Sequence, residues 1–67
     1  MLRKGKVKFW NESKKYGFII DEQTGEELYT YWKFLFEGVI NLKSESMVEF
    51  EILENEKGLN AINVKPI

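Results

Sequence analysis

The chain contains no cysteine and no histidine among its 67 residues. The first absence excludes disulfide staples, and the two together exclude Cys/His zinc sites. They also remove the thiol nucleophile and the imidazole base on which much enzyme chemistry near neutral pH depends. Proline occurs once, at Pro66, and the five glycines are scattered singly, so no glycine-rich loop is available to cradle a phosphate. No apolar run approaches the ~20 residues of a membrane-spanning helix. Arg3, Lys4 and Lys6 place charge at once in the opening stretch, unlike a secretion signal. The reading is a soluble, cytoplasmic, single domain over residues 1–67 with no membrane partner, no cofactor, no metal and no enzymatic activity. A domain of this size hides only about 60% of the surface that its unfolded chain exposes, so core positions are scarce.

The net charge of −1 conceals an asymmetry. Residues 1–15 carry six cations against one carboxylate, and residues 16–67 carry four cations against ten carboxylates. A mildly acidic protein can still present one basic face to a polyanion. An evenly solvated, mixed-sign surface accounts for the same charges equally well. Glu49, Glu51, Glu54 and Glu56 could suggest a catalytic carboxylate pair, but on an alternating strand Glu49 and Glu51 are simply its wet side. The Asn11-Glu12-Ser13 sequon is taken as coincidental, since no secretory signal accompanies it.

Period-two alternation dominates the chain. It predicts strands over residues 4–11, 16–21, 28–32, 47–53 and 59–65. Gly25 supplies a turn residue able to take positive φ, and Asn55 to Gly58 forms a hairpin turn. Five short strands would leave exposed edges in an open sheet, and closing them into a barrel removes those edges. The expected fold class is therefore all-β, a small five-stranded antiparallel barrel. Residues 33–46 are expected to hold a short helical turn and irregular chain, with Leu35, Ile40 and Leu42 plugging the core. A membrane-surface helix would need a basic polar face, which this segment lacks.

The surplus is aromatic. Ten of the 67 residues are Phe, Trp or Tyr. They gather at Phe9-Trp10, at Tyr16 and Phe18, and at Tyr29, Tyr31 and Trp32. If Ile19 and Leu28 face inward, alternation turns Tyr16, Phe18, Tyr29 and Tyr31 outward on adjacent strands. Gly17 would then lie on the inner side, where it lets a tightly coiled strand bend. Exposed rings beside lysines are what single-stranded nucleic acid requires. Each base stacked on an aromatic contributes ~1–3 kcal/mol with little demand on sequence, and lysines displace counterions from the phosphates. Cross-strand ring pairing, at ~0.2–1 kcal/mol per pair, is the competing explanation.

The stretches Gly5 to Asn11 (GKVKFWN), Ser13 to Ile19 (SKKYGFI), Glu27 to Trp32 (ELYTYW) and Lys57 to Val64 (KGLNAINV) carry a likeness. In these four motifs the chain resembles the bacterial cold-shock proteins, over nearly its whole length. The resemblance implies an OB-like barrel that binds single-stranded RNA or DNA and acts as an RNA chaperone or transcription antiterminator. By position it implies binding roles for Lys8, Phe9, Lys14, Tyr16, Phe18, Tyr29, Tyr31 and Trp32. It also marks departures. Lys15 stands where the family usually has glycine, which calls for a different backbone conformation there. Tyr31 replaces the usual histidine and Thr30 the usual valine. The stretch from Lys33 to Ile40 departs most, and its Phe34 and Phe36 extend the binding surface or serve a dimer contact.

Alternation and family order disagree at two places. Alternation turns Trp10 outward and Phe9 inward, whereas the family order makes Phe9 the stacking ring and Trp10 the more buried one. A bulge near the strand end would expose both, so Trp10 remains a candidate. Trp32 points inward by alternation and outward by family position. Phe9 and Trp32 are taken as outward. A monomer is expected, with residues 32–36 as the route to a dimer. The rival function is a divergent barrel that has lost nucleic-acid affinity and serves as a protein-interaction module.

Overall fold

A computed structural model describes residues 2–67. Five strands follow one another: β1 (Arg3–Asn11), β2 (Tyr16–Asp21), β3 (Glu27–Tyr31), β4 (Met47–Asn55) and β5 (Gly58–Pro66). They close into a barrel in the order β1-β2-β3-β5-β4. The expected all-β barrel is thus present, with one refinement. Four pairings are antiparallel, but the β3–β5 contact that closes the barrel is parallel and joins Tyr29 to Asn60. The helical turn expected after β3 is a 3₁₀ turn over Trp32–Phe34. Among the described residues no helix is long and apolar enough to cross a membrane.

Alternation builds the core. Val7, Ile19, Leu28, Val48, Phe50 and Val64 are sealed from solvent, one or two from each strand. Gly17 lies among them at a place with no room for a side chain. A Cβ at this position would collide with the Phe9 carbonyl oxygen and press on the Trp10 backbone. Its bare Cα therefore allows β1 and β2 to approach closely.

Leu35 and Leu42 enter the core as expected, but Ile40 does not: it is 73% exposed, and Val39 packs against the core in its place. The chain between them follows no strand period. It is tied instead at its two ends. Leu35 bridges Val64 and the Phe36 N–H donates to the Val64 carbonyl at 2.7 Å. At the far end Val7 donates to Ser46 and accepts from Glu45, at 2.9 and 2.8 Å. These anchors fix the two ends of residues 37–44, and Leu42 holds the middle to the core.

Asp21 closes β2 on the inner side with Gly17 and Ile19, as alternation requires, and the burial of a carboxylate there needs partners. Arg3 Nε lies 2.8 Å from its Oδ2. Its Oδ1 accepts the N–H groups of Gln23 and Thr24 at 2.7 and 3.2 Å, shaping the turn that ends at Gly25 with φ +78°. Burial opposes ionisation of this carboxyl, but the Arg3 guanidinium and the two amides outweigh it and hold the group below its ordinary range.

Candidate nucleic-acid interface

One side of the barrel carries a continuous row of rings. β2 and β3 pair with Tyr16 opposite Tyr31 and Phe18 opposite Tyr29, so strict alternation turns all four rings to the same face. Phe18 lies 5.6 Å from Phe9 on the neighbouring strand and 5.8 Å from Tyr29. Tyr16 stacks on Tyr29 at 6.2 Å, and Tyr29 on Tyr31 at 5.9 Å. The row ends at Phe34, whose ring meets Tyr31 edge-on at 4.6 Å. These separations are those of aromatic pairs that support one another. The competing explanation by cross-strand pairing is therefore true of the same residues, and the rings still keep exposed surface.

The disagreement over Phe9 and Trp10 has a definite resolution. The β1–β2 register steps from Val7↔Ile19 to Phe9↔Phe18, which leaves Lys8 as the extra residue of a bulge. Lys8 and Phe9 consequently both face outward, and Phe9 is 37% exposed. The bulge does not expose both aromatics. Trp10 is 8% exposed and belongs to the core, with its indole N–H donating to Asn41 Oδ1 at 3.1 Å. Its place among the candidate stacking residues is corrected accordingly, because its ring faces are covered. Trp32 is 54% exposed because the strand ends at Tyr31 and the 3₁₀ turn breaks the alternation that would have sent it inward. It stands beside the row rather than within it, with the Lys33 ammonium 5.4 Å above its ring.

The lysines differ in what already holds them. Lys8 Nζ is paired with Glu27 Oε2 at 2.8 Å. Lys6 is paired with Glu45 at 3.2 Å. Lys14 is exposed, and its ammonium has no partner among the described residues. Lys15 keeps a left-handed backbone, with φ +59°, where a different conformation was expected for a non-glycine residue. Its Cβ makes that conformation costly by ~1–2 kcal/mol. The turn is closed on both sides: the Lys15 N–H donates to the Asn11 carbonyl at 2.7 Å, and its carbonyl accepts the Trp32 N–H at 2.9 Å. The Lys15 ammonium donates to Asn41 Oδ1 at 2.9 Å, the same oxygen that receives the Trp10 indole.

Sequence reasoning therefore located the ring row but missed Asn41, a single polar side chain that seats Trp10 and Lys15 together. It also left the place of Phe34 open and omitted the hairpin residues that the barrel brings beside Tyr29. Those are non-local neighbours, and the one signal for them was the Lys57 to Val64 motif. Among the described residues no group of His, Cys, Asp or Glu is placed to hold a metal ion.

Residues 3–67 match the family model described as "'Cold-shock' DNA-binding domain". A cold shock-like protein of Thermotoga maritima is 40% identical over 65 residues, which cover 96% of this chain and 97% of that one. Cold shock-like protein CspA of Stigmatella aurantiaca is 36% identical over 64 residues, 94% of each chain. Cold shock-like protein CspD of Escherichia coli is 31% identical over 67 residues, covering 98% of this chain and 90% of that one.

Proposed function

The chain belongs to the cold-shock DNA-binding domain family, and on that premise we propose that it binds single-stranded RNA or DNA with low sequence specificity. It acts as one domain in the cytoplasm, without turnover, as an RNA chaperone or transcription antiterminator. Bases stack on Phe9, Tyr16, Phe18, Tyr29, Tyr31 and Trp32. Lys14 meets a phosphate directly, and Lys8 does so by exchanging Glu27 for the strand. The observation that supports this most is the unbroken run of ring contacts from Phe9 through Phe18 and Tyr29 to Tyr31 on one face. Such a row offers successive π-faces to successive bases.

Titration with heptathymidine at low salt, followed by tryptophan fluorescence, tests the proposal. Quenching is expected at micromolar protein through exposed Trp32, and it should shift to higher concentrations as salt rises and counterion release weakens. No quenching at low salt rejects the reading. A second reading, protein association, has one observation in its favour: exposed Trp32 and Ile40 flank a shared surface groove. A mass that rises with concentration, without oligonucleotide binding, would favour that alternative.

A further inference from the structure

The chain has three tyrosines, and all three stand in the ring row. Tyr29 lies between the other two, its ring 6.2 Å from Tyr16 and 5.9 Å from Tyr31. Both pairs are close to parallel, at 29° and 26°, whereas the phenylalanines of the row meet their neighbours at steeper angles. Stacking on a base needs only a π-face, which phenylalanine supplies as well as tyrosine. The hydroxyls do not serve the barrel either, because none of them has a hydrogen-bond partner among the described residues. Tyr29 is 37% exposed, and with Tyr31 it borders an open groove beside Phe34, so water reaches these phenols.

What a hydroxyl changes is the ease with which the ring gives up an electron. A phenol yields an electron, together with its hydroxyl proton, to oxidants that leave a phenylalanine ring untouched. Among the bases guanine is the most easily oxidised, so an electron lost from a strand is lost in the end from guanine. Oxidised guanine sheds its N1 proton and becomes a neutral radical, which is a stronger oxidant than a phenoxyl radical. A guanine stacked on any of the three tyrosines is therefore in direct contact with a group able to restore it.

We propose that Tyr16, Tyr29 and Tyr31 form an electron-donor array that reduces one-electron-oxidised guanine in a bound single strand. The inference rests on the single-strand binding proposed above and adds a chemical activity to it. In the step the tyrosine O–H bond breaks and the guanine N1–H bond forms. The electron crosses between the stacked rings, and the proton moves through the water at the hydroxyl. Guanine is restored and the tyrosine is left as a neutral phenoxyl radical. Because Tyr29 contacts both of the other phenols, a base stacked on one tyrosine reaches all three. Each tyrosine donates once, so the process is stoichiometric and involves no turnover. Phe9, Phe18 and Phe34 stack but have no hydroxyl hydrogen to give. Trp32 is the other oxidisable ring exposed on this side, and substitution separates its contribution from that of the tyrosines.

The test uses heptathymidine with its central base replaced by guanine and an anthraquinone photo-oxidant tethered beside it, so that oxidation starts on the strand. The strand is saturated with protein and briefly illuminated. Guanine loss is measured by chromatography, and the tyrosyl radical by electron paramagnetic resonance of the frozen sample. Wild type should suppress guanine loss and show the tyrosyl signal. The variant carrying Tyr16→Phe, Tyr29→Phe and Tyr31→Phe keeps every ring, so it should still bind the strand while losing both the protection and the signal. Circular dichroism checks its fold. Tyr29→Phe alone, which removes only the central hydroxyl, should lose part of the protection and serves in its place if the triple variant does not fold. Protection undiminished in these variants overturns the proposal and assigns the effect to shielding or to Trp32. A tyrosyl signal of equal size with the guanine-free strand also overturns it, since the electron then comes from tyrosine without passing to guanine. Either result leaves the ring row intact as a binding surface. Failure of wild type to bind the strand overturns the underlying function as well.

Discussion

The β2–β3 face and the segment from Leu35 to Ser46 place their side chains by different means. On β2 and β3 the backbone is laddered from Tyr16↔Tyr31 to Ile20↔Glu27. Each side chain's direction follows from whether its position is odd or even. Residues 35–46 form no strand. They are positioned by Leu35 and Leu42 entering the core, by backbone bonds to Val64 and Val7, and by Asn41 gripping Trp10 and Lys15. The two regions depend on each other. The ladder can turn five rings outward, with Phe9, because the irregular segment supplies apolar side chains to a core that would otherwise lack them. One region displays groups, the other fills space, and substitutions should separate those tasks.

The largest expected effect lies directly behind the ring row. Ile19→Ala removes a sealed core side chain and should cost ~2–5 kcal/mol of stability, measured by denaturant unfolding, while affinity per folded molecule is unchanged. If Ile19→Ala instead lowers affinity without destabilising the barrel, inner and outer faces have been confused. Phe18→Ala should do the opposite. Its affinity for heptathymidine should fall by ~1–3 kcal/mol, with stability reduced only by lost ring pairs, each ~0.2–1 kcal/mol. Should the variant unfold, the row is primarily structural.

In the irregular segment, Asn41→Ala removes the acceptor shared by Trp10 and Lys15. A stability loss of about 1 kcal/mol is expected from these hydrogen bonds, together with a shift in the near-ultraviolet signal of Trp10. An unchanged spectrum would mean that residues 37–44 are seated without Asn41. The smallest effect is expected for Lys15→Gly. It relieves the left-handed strain of ~1–2 kcal/mol but gives up the bond to Asn41 and adds unfolded-state freedom, so thermal unfolding should move by no more than about 1 kcal/mol. A large loss would show that the Lys15 side chain, rather than its backbone, maintains the turn.

Much of this was legible from residue order. Ile19 and Leu28 are apolar at alternate positions with rings between them, so the outward turn of Tyr16, Phe18, Tyr29 and Tyr31 needed only the period of a strand. Gly25 announced its turn. Ile40 and Val39 show the limit. Both are apolar and adjacent, and without a strand period nothing local says which one enters the core. Asp21 shows another: alternation turns it inward, but the partner that holds its charge there is Arg3, which arrives from the neighbouring strand.

The strands, their facing and their ring-bearing side thus follow from amino-acid order, because strand period and turn chemistry act over a few residues. Phe9 outward and Trp10 inward required the bulge at Lys8, which exists where β1 must pair with β2 on one side and with Glu45 and Ser46 on the other. The groove beside Phe34 required the parallel contact of Tyr29 with Asn60. Both are meetings between distant parts of the chain, and only closure of the barrel decides which distant parts meet.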